Sequence, residues 1–507
     1  MIQISTVAAA SRAAASRAAA AGFSLLLVGG LAACTESGDT PDAVVEPMTV
    51  RVMQFNIEYG GTVVDFASVP AAIEAADADV VALQEAYGRT CKVADAVQWS
   101  YCDPRTQVIS RFPLITPSDP TGDEVLVLPE EGEAFGVVNL HLPSAPYGPN
   151  LVLKGVEDAD ELVAKEKGRL NAMEPVLDAA NRLQDAGVPV VVLGDLNSPS
   201  HLDWTAQTEG LRDHVIPVEW PVSSELVEAG YDDAYRVVHP DPVSDPGLTW
   251  PAARPKSGSY NPALTGRPAD RIDMTFVSRD IAVEDAEILG EPDSEFTDIP
   301  IDPWPTDHRA VVTEMEIPLA DPGPYVSAST RLVDRGANVE VFGHGADAEE
   351  VEVTGTGEPM TVTLDRGVAV LGTGDLAAGE NTLELVGADG EPVSTGNLWV
   401  REPDAETVVT TSKPTYTRGE PIEVSWTDAP GNKWDWIGVY KRGADPNVAW
   451  YKNWLYTESA IAGSATIDDD ASGGPWPLPP GKYDVLVLAD DSYAELGRAP
   501  FTVIPGR

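Results

Sequence analysis

Apolar and polar positions follow one texture up to about Pro318 and another beyond it. Upstream, "MTVRVMQFNIEY" alternates with period two, which predicts a strand carrying Val50, Val52, Gln54 and Asn56 on one face. "VPAAIEAADADVVALQE" reads as a short helix followed by a buried strand. In "FGVVNLHL", a further strand, Asn139 and His141 share a face. Residues 160 to 186 carry a helical period through Leu170, Met173, Leu177, Ala180 and Leu183, and Pro175 inside it predicts a kink or a division. The strand "PVVVLG" follows, and "DRIDMTFVS" and "AVVTEMEI" close the region. Interleaved elements of this kind predict an α/β or α+β domain over residues 49–318. Downstream, short alternating strands such as "NVEVFGHG", "MTVTLD", "PIEVSWTD" and "KYDVLVLAD" are separated by Gly, Asp and Pro turns. They predict two small all-β sandwich domains, over 319–403 and 404–507.

The upstream strands share a second property, which is that their ends carry polar side chains. Asn56 follows "RVMQF", Glu85 follows "DVVALQ", His141 follows "VVNL", and Asp195 and Asn197 follow "VVVLG". Asp273 lies in "DRIDMTFVS", and Asp307 and His308 precede "RAVVTEM". Each alone has an ordinary reading as a turn, a cap or a surface charge. Gathered against a core, they would cost stability unless they pair with one another or hold an ion. Carboxylates combined with amide and imidazole groups suit a hard divalent cation such as Mg²⁺. His201, His214, His239 and His344 stand in loop-like or β contexts and read as structural.

In this order, "FNI", "LQE", "ISRFPL", "VNLHL", "GDLNSP", "DRIDMTFVS" and "TDHRAV" resemble the endonuclease/exonuclease/phosphatase superfamily over about residues 49–318. DNase I-like nucleases, inositol polyphosphate phosphatases and neutral sphingomyelinases belong to it. The resemblance implies a four-layer sandwich of two packed β-sheets flanked by helices, with these residues meeting at one edge. It implies Glu85, with Asn56 and Asp307, as the metal site for Mg²⁺, with Mn²⁺ or Ca²⁺ as substitutes. Asp195 would orient or deprotonate the attacking water, Asn197 and His141 would bind phosphate oxygens, and Asp273 would pair with His308. Arg111 in "ISRFPL" is a further phosphate-binding candidate. Thr306 stands where the family usually has Ser, and it keeps the hydroxyl.

The implied activity is hydrolysis of a phosphate mono- or diester by metal-assisted attack of water. A secreted nuclease and a sphingomyelinase-like phospholipid phosphodiesterase are the alternatives within the same chemistry. A non-catalytic binding protein on the same scaffold is the alternative of another class. That last reading predicts missing site residues, and none is missing. Acid–base catalysis by one side chain supplies roughly 10²–10⁴ in rate. Phosphate ester hydrolysis needs far more, up to about 10²¹. Positioning and charge stabilisation by the assembled groups must therefore dominate.

Composition narrows the setting. A net charge of -48 repels nucleic acid and acidic membranes at long range and disfavours non-specific nucleic-acid binding. Arg12 and Arg17 precede "FSLLLVGGLAAC", an apolar run too short to span a bilayer, so residues 1–34 read as an export signal. Its end, Leu31-Ala32-Ala33-Cys34, resembles a bacterial lipobox, which implies lipidation at Cys34 and anchoring to the outer face of the cell membrane, or else secretion. Residues 35–48 read as a linker. Cys91 and Cys102 then form an even pair in an oxidising compartment, which predicts a disulfide. The expected partners are the phosphate-ester substrate and, through the anchor, a membrane; the chain is expected to be a monomer. Near the C-terminus, Trp434, Trp436, Tyr440, Trp450, Tyr451 and Trp454 crowd together. The simplest reading makes them sandwich core, ahead of a carbohydrate or lipid platform. "DWIGVYK" weakly resembles SKICH-type domains, and the last domain is expected to be an accessory without chemistry.

Overall fold

The computed structural model describes residues 47–117, 123–211, 216–253, 269–345, 348–355 and 357–506. The export signal, Cys34 and His214 lie outside them. Six strands position the site: β1 (Met48–Asn56), β2 (Val80–Gln84), β3 (Glu133–His141), β4 (Val190–Asp195), β5 (Asp273–Ser278) and β6 (Ala310–Ile317). In a seven-stranded sheet, β1 pairs antiparallel with β6 and parallel with β2. In a six-stranded sheet, β4 lies parallel to β3 and antiparallel to β5.

The alternation seen in the sequence sets the layers. Val50, Val52, Val80, Ala82, Val137, Val191, Leu193 and Met315 interdigitate between the two sheets. Met53, Phe55, Val81 and Leu83 face outward onto the helices Ser68–Ala75 and Thr90–Ala96. On the far side, Val138, Leu140, Val190 and Val192 pack against Met173, Val176 and Ala180 of helix α1 (Lys167–Asp185). Helix, sheet, sheet and helix make the four-layer sandwich. A one-residue slip of β1 would exchange its two faces, and each fully buried Val or Leu is worth about 1.5–3 kcal/mol, so the register is fixed by burial. Cys91 and Cys102 form a disulfide joining the helix Thr90–Ala96 to the strand Tyr101–Asp103.

The region expected to bend at Pro175 differs. It forms two helices, Ala159–Lys165 and α1, and the break falls at Glu166. There the Glu166 carboxylate turns inward to Arg169 Nη1 at 2.7 Å, while Arg169 Nη2 donates to Pro146 O. Pro175 sits on the solvent face with Asn171, where the carbonyl that its ring deprives of a partner is open to water, and α1 continues.

Beyond Ile317 come two all-β sandwiches. In the first, a three-stranded sheet faces a five-stranded one around Val341, Leu371, Leu383 and Leu398. In the second, a three-stranded sheet faces a six-stranded one that contains β7 (Trp436–Lys441) and β8 (Gly481–Leu488). Ile437 and Val439 of β7 point into this core with Tyr416, Trp426, Tyr483 and Phe501. The aromatic cluster expected in the core is elsewhere. Trp436 and Tyr440 occupy the opposite face of β7 with Tyr451 and Trp454, and Trp450 is 85% exposed. Trp454, at one end of that face, lines a cleft with residues of the catalytic domain.

Candidate active site

The site begins with the rung on which three strands end. Asp195 is the register partner of both His141 and Asp273. Gly194 precedes it at φ +150°, and a Cβ there would stand 1.9 Å from Leu140 O, so only glycine lets β3 and β4 close at this rung. From the other sheet, Asn56 donates Nδ2–H to Asp195 Oδ2 at 3.1 Å. Asn197, in the left-handed region at φ 49°, donates its backbone N–H back to Asp195 Oδ1 and one amide hydrogen to Leu142 O. Among the described residues its second amide hydrogen has no acceptor, and Asn197 lines the cleft.

His308 closes the group. Its Nδ1 meets Asp273 Oδ2 at 2.9 Å, and its Nε2 stands 3.8 Å from Asp195 Oδ2. Its carbonyl accepts from Trp304 Nε1, and that ring packs on Phe55. Burial disfavours charge on His308, but Asp273, Asp195 and Asp307 outweigh it and raise its pKa well above the usual range. His308 is therefore an imidazolium at neutral pH. His141 Nε2 lies 3.6 Å from Asp195 Oδ2, yet burial, with His308 and Lys433 nearby, lowers its pKa and keeps it neutral. Burial raises the pKa of Asp195 against the pull of the two histidines. The result is a carboxylate, a neutral imidazole and a charged imidazole around one point.

Asp195, Asp273 and His308 bring ligand atoms close enough together for a cation. The Asp273 oxygens are already engaged, by His308 and by Gln54 Nε2 at 2.7 Å, so within that trio Asp273 serves as the hydrogen-bond partner of His308. The metal site expected at Asn56, Glu85 and Asp307 fits a cation better. Burial raises the Glu85 pKa, and Asp307 raises it further by like-charge repulsion. Among the described residues neither carboxylate is ion-paired to Lys or Arg; the ionic neighbour recorded for Asp307 is His308, at 3.9 Å. Glu85 sits in the left-handed region at φ 54°, where its carboxylate accepts Tyr59 N–H. Two crowded carboxylates and an amide are the donor set of a hard divalent ion.

Arg111 is not part of this site. Its guanidinium pairs with Asp77 at 3.1 Å and Asp79 at 3.2 Å and lies over the Trp99 ring, so the phosphate role expected for it is withdrawn. His201, His239 and His344 hold Ser223 Oγ, Ala286 O and Asp321, away from the cleft.

Other residues were not singled out by the sequence. Gln54, Gln84 and Asn139 form an amide relay between the sheets, running from Asp273 through Gln54 to Gln84 Oε1 at 2.6 Å, and from Gln84 Nε2 to Asn139 Oδ1 at 2.8 Å. Amides at inward positions of Val-rich strands were the available signal. Arg271 clamps Asp203 and Asp233 just before β5 and fixes the strand that carries Asp273. The cleft holding these groups, about 750 Å³, is also lined by Trp434, Trp454, Tyr456 and Asp491 of the last sandwich. The domain expected to be an accessory without chemistry thus supplies one wall of the cleft.

A sequence profile described as the endonuclease/exonuclease/phosphatase family matches residues 53–308. The chain belongs to that family. A Caenorhabditis elegans protein described as uncharacterized is 31% identical over 250 residues, which are 45% of this chain and 78% of that protein. Among solved structures, an endonuclease/exonuclease/phosphatase from Beutenbergia cavernae is 18% identical with a TM-score of 0.32, covering 69% of this chain and 99% of its own. A mannosyl-6-phosphatase from Bacteroides thetaiotaomicron is 13% identical with a TM-score of 0.30, covering 52% and 99%. Members of the endonuclease/exonuclease/phosphatase family are divalent-metal-dependent hydrolases of phosphoesters. The profile match spans Asn56, Glu85, His141, Asp195, Asn197, Asp273, Asp307 and His308, so the family assignment and the assembled site rest on the same stretch of chain.

Proposed function

We propose that this chain is an extracytoplasmic, magnesium-dependent phosphoric ester hydrolase held at the outer face of the cell membrane through Cys34. The observation that carries the catalytic part is the environment of Asp195. Its carboxylate accepts from Asn56, faces neutral His141 and lies beside imidazolium His308, which Asp273 holds. A water resting on Asp195 is oriented toward the cleft. The raised pKa of that carboxylate suits it to take the water's proton as oxygen bonds to phosphorus. Imidazolium His308, His141 and the free amide hydrogen of Asn197 face the phosphoryl oxygens, where negative charge grows. A divalent cation held by Glu85, Asn56 and Asp307 would add Lewis-acid stabilisation of those oxygens. Export is supported by the basic and apolar N-terminal run that ends at Cys34.

The test is release of p-nitrophenol from mono- and diester substrates by the full chain, before and after EDTA and after return of Mg²⁺, Mn²⁺ or Ca²⁺. Loss with EDTA, recovery with Mg²⁺ and a fall of at least about 10²-fold in Asp195→Ala are expected. Turnover insensitive to EDTA, or full activity in that variant, would overturn the reading.

A further inference from the structure

The catalytic groups occupy one side of the cleft, and the last sandwich builds the other. Trp434, Trp454 and Tyr456 stand there as rings inclined to one another. Trp434 and Tyr456 have centroids 5.1 Å apart at 55°, and Trp454 and Tyr456 are 5.2 Å apart at 80°. Among them is Asp491, whose Oδ1 accepts the Tyr456 hydroxyl at 2.8 Å and whose backbone N–H donates to Trp434 O.

A hairpin turn between the strands Gly481–Leu488 and Glu495–Ile504 puts Asp491 there. Asp490 and Asp491 both lie in the left-handed region, at φ 41° and 57°. Aspartate is one of the few residues besides glycine that adopts this region readily, and a tight hairpin turn requires it. The surroundings enforce it. Asp490 N–H donates to Asp435, and the Asp490 carboxylate accepts from Gly88 N and Gln107 Nε2 of the catalytic domain. Contacts from two domains thus fix the turn that presents Asp491 at the edge of the cleft.

Inclined aromatic faces grouped around a carboxylate form a receptor for a positive charge, because the ring quadrupoles present negative faces and the carboxylate adds a full charge. A flat sugar ring calls for a single open platform, which these rings do not make. Glu58 and Asp491 line the cleft outside the groups placed at the metal and the phosphate, and the chain as a whole carries -48. A simple phosphate ester approaches that field as an anion and is repelled. An ammonium group offsets one of those charges, so that a diester bearing it has no net charge and a monoester keeps about one negative charge instead of two.

We propose that Trp434, Trp454, Tyr456 and Asp491 form a specificity subsite for the ammonium group of an amino-alcohol phosphate ester whose phosphate sits at Asp195, His141 and His308. This rests on the phosphoesterase reading above. The ester can be a soluble molecule or a lipid headgroup, since the recognised chemistry is the same.

The experiment uses the full chain with Mg²⁺ and compares phosphocholine with 3,3-dimethylbutyl phosphate, in which carbon replaces nitrogen. Both are assayed as monoesters and as p-nitrophenyl diesters. A lipid arm compares phosphatidylcholine vesicles with vesicles of the corresponding dimethylbutyl lipid. The expected result is about tenfold higher kcat/KM for the ammonium ester in at least one arm, and the arm identifies the source. Asp491→Asn, which preserves shape, and Tyr456→Phe, which releases Asp491, should each bring the ratio close to one. Equal rates for the isosteres in every arm, or a ratio that both variants leave intact, would overturn the subsite while the phosphoesterase reading stands. No hydrolysis of any ester would overturn both.

Discussion

Lys433 is the clearest place to test whether the last sandwich is fastened to the catalytic domain. It is 7% exposed, its Nζ donates to the main-chain oxygen of Asn139, and it stands 3.0 Å from the Asp123 carboxylate. Its own N–H donates to Pro104 O. Lys433→Met keeps the length of the side chain and removes the charge. A hydrogen bond to a charged group is worth about 1.5–3 kcal/mol. Breaking a fully buried ion pair costs about 3–5 kcal/mol, but Asp123 is one-fifth exposed and can be rehydrated. The expected loss is therefore about 2 kcal/mol, and it falls on the contact between domains. The Asp490 contacts with Gly88 and Gln107 remain, so docking weakens without being abolished. Scanning calorimetry should show the last sandwich separating as an earlier transition, its Tm lower by roughly 10 °C for a unit of this size. Because Lys433 also lowers the pKa of His141, the imidazole titration seen by NMR should move upward in the variant. A single transition within about 2 °C of the parent, with an unmoved His141, would refute the reasoning.

Asp273→Asn removes the carboxylate that most strongly raises the His308 pKa; the imidazole should lose its charge near neutral pH and kcat should fall about 10²–10⁴-fold with the fold retained, as read by circular dichroism. Gly194→Ala sets a Cβ against Leu140 O and should cost roughly 3 kcal/mol or more, visible as a collapse of the denaturation midpoint of the catalytic domain. Asp435 is a buried acceptor for Asn432 and for Asp490 N–H, and burial raises its pKa to about 6. The folded chain thus holds this proton more tightly than the unfolded chain, whose carboxyl titrates near about 4. The resulting stability is fully present below about pH 4 and is lost as pH rises through about 6. Asp435→Asn should therefore flatten the pH dependence of the last sandwich's melting between those limits, as read by calorimetry at several pH values.

What was legible in the sequence follows from where the physics is local. Strands with apolar runs and polar ends announce themselves, because an uncompensated Asp195 or Glu85 would not be kept beside a core, and those residues do meet. Arg111 lay within the motif "ISRFPL", but a motif does not state which way a side chain turns, and Asp77 and Asp79 claim its charge. Pro175 misled because its cost depends on whether the orphaned carbonyl sees water, which is a tertiary fact. The aromatic segment was the hardest. β7 is apolar on both faces, with Ile437 and Val439 on one and Trp436 and Tyr440 on the other. Alternation alone cannot say which face is core when neither is polar. That ambiguity concealed the wall of the cleft.

The shared cleft has a consequence for how such an enzyme can change. Every group placed at the phosphate lies between Asn56 and His308, while the surface that meets the rest of the ester includes Trp434, Trp454, Tyr456 and Asp491. Reaction and choice of substrate are thus written in separate folding units joined at a seam. A chain cut after Ile317 would keep its catalytic residues and open one flank of the cleft to water. Exchange of the last sandwich for another would retune the clientele and leave the chemistry in place.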